Sequence, residues 1–114
     1  MNQGVRQDVI EQVIERLVRF YHPNKIYVFG SAARGESGPD SDLDFLVVVP
    51  DDCPREIRAS GEIYEILGDL DTPVDVIPWR RSDFEGRAGE VVASLPATVI
   101  REGKLVYVSE ALPA

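Results

Sequence analysis

GSAARGESGPDSDLDFLVVV, residues 30 to 49, decides the fold. It follows a short apolar run, Ile26 to Phe29, which reads as a strand stopped by Gly30. Gly35 to Ser41 is built from Gly, Pro, Ser and acidic residues and reads as a loop. Leu43 to Val49 is a second strand, closed by Pro50, and its apolar run, Phe45 to Val49, predicts burial on both faces and a central place in a sheet. Side chains alternate along a strand, so Asp42 and Asp44 share one face while Leu43 and Phe45 anchor the other. Two carboxylates side by side resist joint ionisation. A divalent cation such as magnesium, which prefers hard oxygen ligands, removes that conflict.

A third acid lies further along. Asp75 stands between valines in Pro73 to Ile77, a third predicted strand, and an acid within an apolar strand is costly unless paired or bound to metal. If this strand neighbours the second, Asp75 joins Asp42 and Asp44. Three carboxylates can hold two magnesium ions a few ångströms apart, the arrangement suited to in-line phosphoryl transfer. Gly30-Ser31 follows a strand, where free backbone N–H groups and the Ser31 hydroxyl can bind a phosphate, and Arg34 could reach phosphate oxygens with its planar fork. A Gly-Ser pair alone is usually a turn, and Asp-x-Asp alone is common on surfaces. Together, separated by ten residues, they are expected by chance in roughly one in several hundred chains of this length.

Around this centre, Val5, Val9, Val13 and Leu17, joined by Ile10, Ile14 and Tyr21, form the apolar stripe of an amphipathic helix ended by Pro23. A helix is predicted from Asp52 or Cys53, with Ile57, Tyr64, Leu67 and Leu70 facing the core. Ser82 to Glu85 has capping-box spacing and predicts a further helix, weakened by Gly86 and Gly89. A helical turn at Thr98 to Arg101 and a last strand, Leu105 to Val108, complete the order helix, strand, strand, helix, strand, helix, strand. That order predicts a mixed α/β (α+β) domain with a central mixed sheet flanked by helices.

The 114 residues are enough for one domain, 1–114, with no room for a separate acceptor-binding domain. A second substrate is then small, or is a partner protein with its own surface. The formal net charge of −8, from 20 acidic and 12 basic residues, argues against direct binding to nucleic acid. Cys53 is the only cysteine, so no internal disulfide forms. The N-terminus shows no signal-peptide pattern, and no apolar run approaches the ~20 residues of a membrane helix. A cytoplasmic protein is expected.

Gly30-Ser31, ten residues, then Asp42-Leu43-Asp44 resembles the signature of the DNA polymerase beta-like nucleotidyltransferase superfamily. The fuller string, the short length and the strand VDVI resemble its minimal nucleotidyltransferases, the MNT proteins. The resemblance is specific from about Ile26 to Ile77 and looser over the C-terminal third, where the glycine-bearing segment Glu85 to Glu90 departs from it. It implies a nucleotidyltransferase fold and Mg-dependent transfer of a nucleoside monophosphate from a triphosphate to a hydroxyl, with pyrophosphate released. By position Asp42 and Asp44 match the metal-binding pair, Asp75 the third acid that helps activate the hydroxyl, and Gly30 and Ser31 the triphosphate loop. Many MNT proteins are similar to antitoxins of an all-helical HEPN toxin, and some transfer AMP from ATP to a toxin tyrosine. The expectation is a protein adenylyltransferase acting as antitoxin within a hetero-oligomer. Its rivals are a non-catalytic antitoxin acting by complex formation and an enzyme that nucleotidylates a small molecule. Arg16 and His22 have the Arg-x5-His spacing of HEPN ribonuclease sites, but His22 is expected simply to end the first helix.

Overall fold

The computed structural model describes residues 2–30, 43–70, 72–90 and 94–109. Helix α1, Asn2–Tyr21, carries the predicted stripe: Val13, Leu17 and Tyr21 are buried, with Val9, Ile10, Ile14 and Val18 packed around them. The chain leaves α1 through His22, whose φ of 50° is left-handed and whose N–H bonds back to the Val18 carbonyl. His22 therefore ends the helix through its backbone. Arg16, on the same helix, donates to the Ile66 carbonyl at 2.9 Å and to the Asp69 carboxylate. The Arg16 hydrogen bond holds the Asp69 carboxyl below its ordinary range.

Four strands form one mixed sheet: β1, Lys25–Phe29; β2, Leu43–Val49; β3, Val74–Arg80; and β4, Lys104–Val108, in the order β3-β2-β1-β4. β1 runs antiparallel to β2 and β4, and β2 runs parallel to β3. The apolar run of β2 is interior, as its composition predicts. Leu43, Phe45, Val47 and Val49 join α1, Ile63 and Leu67 in one core, whereas Leu46 and Val48 join Tyr27, Phe84 and Val99 in a second core on the opposite face. Each additional methylene buried in these layers contributes about 0.8 kcal/mol. Among the described residues no helix is long and apolar enough to cross a membrane.

The connection between β2 and β3 is not the single helix expected. It is broken into α2, Arg55–Arg58, α3, Glu62–Ile66, and a 3-10 turn, Gly68–Leu70. Ser60 and Gly61 make the break: the Ser60 hydroxyl accepts the Glu62 N–H at 3.0 Å, competing with helical bonding. Ile63 and Leu67 are buried, but Tyr64, expected in the core, is 46% exposed.

β3 extends through Pro78 to Arg80, past the expected stop at Ile77. A proline is tolerated there because β3 is an edge strand. Val76 directs its N–H away from β2, and by alternation the missing N–H of Pro78 falls on that same outer side. Helix α4, Arg81–Glu90, follows without a break, so Ser82 is not its cap. Asp51, just after β2, accepts the Ser82 N–H at 2.9 Å instead, and that bond holds the Asp51 carboxyl below its ordinary range. Glu85 pairs with Arg81 rather than closing a capping box. Helix α5, Leu95–Glu102, is longer than the predicted turn: the Ser94 hydroxyl caps the Ala97 N–H at 3.2 Å and Pro96 sits in the first turn.

A Cβ added at Gly86, inside α4, would meet nothing within 4 Å. Gly86→Ala is therefore expected to stabilise the protein by about 0.5–1 kcal/mol, a rise of a few degrees in Tm. A thermal melt checks this, and a lower Tm would show that the helix needs glycine for a reason other than space.

Candidate active site

The sheet brings two of the three predicted acids together. Phe29 is the register partner of Asp44 across the antiparallel β1–β2 pair, and Asp44 is the register partner of Asp75 across the parallel β2–β3 pair. Neighbouring strands lie about 4.8 Å apart, so the two carboxylates leave adjacent backbones. Both point to the face that carries the second core. Asp44 continues the row of Leu46 and Val48, and Asp75 continues the row of Ile77 and Trp79. Phe84 of α4 and Val99 of α5 pack on Leu46 and Val48 in that second core. The acids stand at the start of those rows, Asp44 half-buried and Asp75 exposed.

Gly30 supplies the third element. Its φ is +76°, and a Cβ built there would lie 2.7 Å from Asp44 Oδ2. Glycine is required twice over, by the left-handed backbone and by the carboxylate alongside. Behind it, Gly103 closes the end of α5 against β1. A Cβ at Gly103 would meet the Val99 carbonyl at 2.5 Å, the Val28 carbonyl at 3.1 Å and Phe29 Cβ at 3.3 Å. The segment Glu102-Gly103-Lys104 reads as a turn in the sequence, and nothing in it signals this close approach.

Gly30, Asp44 and Asp75 are thus gathered at one end of the sheet. Ser31, Arg34 and Asp42 lie outside the described residues. Among the described residues no group of three metal-ligating side chains comes together. A separate cleft of about 210 Å³, lined by Asn24, Tyr27, Val48, Phe84 and Ile100, opens on the same face at the opposite end of β1 and β2. The sequence also missed Tyr64, whose hydroxyl meets the backbone of β3 next to Asp75.

Residues 10–101 match the family model for a nucleotidyltransferase domain. A search of curated proteins gives no match. The structure of a toxin-antitoxin with AMP-PNP is similar at 26% identity and a TM-score of 0.59, over 88% of this chain and 74% of that one. A structure described as a minimal nucleotidyltransferase is similar at 28% identity and a TM-score of 0.57, over 93% of this chain and 94% of that one. The toxin-antitoxin MntA-HepT, at 22% identity and a TM-score of 0.58 over 90% of this chain and 73% of that one, shares the fold. The matched segment contains β1, the turn at Gly30, β2 and β3 with their two acids, and the chain belongs to the nucleotidyltransferase domain family.

Proposed function

We propose that the protein transfers AMP from ATP to a hydroxyl, a tyrosine of a HEPN-type toxin, and acts as that toxin's antitoxin within a hetero-oligomer. The observation that carries this reading is the register of Asp44 with Asp75, beside a glycine whose lack of a side chain lets the Asp44 carboxylate lie against the turn. Hard carboxylate oxygens on adjacent strands, one of them lying against the Gly30 turn, fit magnesium. Asp42, Asp44 and Asp75 would hold two ions, which neutralise triphosphate charge and favour ionisation of the attacking hydroxyl.

The residues divide the remaining work. Asp44, half-buried beside Gly30, serves the triphosphate side. The backbone N–H groups of the Gly30-Ser31 turn, the Ser31 hydroxyl and Arg34 bind phosphate oxygens. Asp75, exposed on an edge strand, is open to an acceptor arriving from solvent, and it takes the hydroxyl proton. The acceptor oxygen bonds to the α-phosphorus, the bond from that phosphorus to the bridging oxygen breaks, and pyrophosphate leaves. The formal charge of −8 favours a basic partner face, and the similarity to a toxin-antitoxin with AMP-PNP supports both partner and nucleotide.

The test is transfer of label from α-³²P-ATP, with magnesium, to the cognate toxin. Label on a toxin tyrosine, lost with a chelator, is the expected result. Protection of cells from the toxin without any labelling would overturn the enzymatic reading and favour inhibition by complex formation. Label on a small acceptor in the absence of toxin would overturn the partner.

A further inference from the structure

β3 is an edge strand, and among the described residues no strand lies along its outer side. By alternation the backbone groups of Pro73, Asp75 and Ile77 face β2; the Pro73 carbonyl accepts the Leu43 N–H at 2.9 Å. Those of Val76 face outward, and one side-chain hydroxyl meets both. Tyr64 Oη accepts the Val76 N–H at 3.1 Å and donates to the Val76 carbonyl at 3.2 Å. A single tyrosine thereby stands in for a stretch of a fifth strand.

Burial does not explain why Tyr64 is there, since it is 46% exposed while its neighbours Ile63 and Leu67 hold α3 in the core. What the position secures is the peptide unit joining Asp75 to Val76. Its carbonyl faces β2 and its N–H is held by Tyr64, so both ends of the plane are fixed. The orientation of that plane sets the ψ of Asp75, and with it the direction of an exposed carboxylate that packing does not hold.

We propose that Tyr64 is a positioning residue for Asp75, aiming its carboxylate at the acceptor hydroxyl. The inference rests on the adenylyltransferase reading. It assigns Tyr64 to the chemical step and not to nucleotide binding, which is left to the Gly30 turn and Asp44. A misplacement of about 1 Å at a reacting group costs roughly a hundredfold in rate.

Tyr64→Phe keeps the ring and removes the hydroxyl. In the complex with the cognate toxin, kcat for AMP transfer is expected to fall at least tenfold, while KM for Mg-ATP stays within about twofold. Amide exchange at Val76 is expected to accelerate, which reads the lost hydrogen bond without reference to activity. Unchanged kcat with faster Val76 exchange overturns the positioning role. Parallel losses in KM, kcat and Tm also overturn it, because they describe general loosening. If the wild-type protein transfers no AMP, the adenylyltransferase reading itself fails and this inference falls with it. An active wild type with an equally active variant removes the inference alone.

Discussion

Asp44→Asn is expected to lower AMP transfer about a thousandfold while leaving Tm within a few degrees of the wild type. The substitution keeps the shape and removes one charge, so the β2 ladder with Phe29 and Asp75 as register partners is undisturbed. What is lost is one anionic oxygen ligand, and charge stabilisation of this kind contributes several kcal/mol to a phosphoryl-transfer barrier. The effect also has an equilibrium signature. Mg-ATP at one hundred times its Kd stabilises a folded protein by ~2.7 kcal/mol, which for a domain of this size is a melting shift of about ten degrees or more. Asp44→Asn should remove most of that shift. Thermal melts of both proteins with and without Mg-ATP, beside the labelling assay, check both parts. Wild-type transfer by the variant would sink the role given to Asp44.

Gly30→Ala is the second large effect. The left-handed φ of +76° costs an alanine roughly 1–2 kcal/mol. Its Cβ, 2.7 Å from Asp44 Oδ2, must also push the carboxylate aside. Transfer is expected to fall at least a hundredfold, and Mg-ATP affinity at least tenfold, a change of ~1.4 kcal/mol. The clash has a particular partner, which gives a sharper measurement. Shortening that partner in the double variant Gly30→Ala/Asp44→Ala should recover part of the lost stability, as contacting residues couple by 0.5 kcal/mol or more. Strictly additive melting losses would show that Gly30 and Asp44 do not touch in solution.

The strands were legible because their signals are local. β2 carries the apolar run Phe45 to Val49 between a stretch of polar composition and a proline, and β1 stops before Gly30. The pairing of Asp44 with Asp75 was only conditional in the sequence, since it depends on two distant segments becoming neighbours in a parallel register. Periodicity misled at Tyr64, where a helical spacing suggested the core and a hydrogen bond to an edge strand prevailed. It failed again at Ser82, whose N–H is satisfied by Asp51 from a different element. Helix α5 begins earlier than expected because its cap and first-turn proline, Ser94 and Pro96, resemble a loop until the helix beyond them is known. The sites assigned to Ser31, Arg34 and Asp42 rest on sequence position, outside the described residues.

The outer edge of β3 has a consequence for how molecules meet at this site. Exposed edges invite strand addition and, from there, aggregation. On β3 that invitation is withdrawn at two successive outward positions: Val76 is already engaged by Tyr64, and Pro78 has no N–H to offer. An extended segment from another chain therefore finds no continuous ladder beside Asp75, which disfavours docking by lengthening the sheet. On the proposed reading, the acceptor hydroxyl reaches the acids from the sheet face, carried on a loop or a free tail. On that reading Tyr64 and Pro78, which keep the strand from sticking to its own kind, also select the shape of the partner segment.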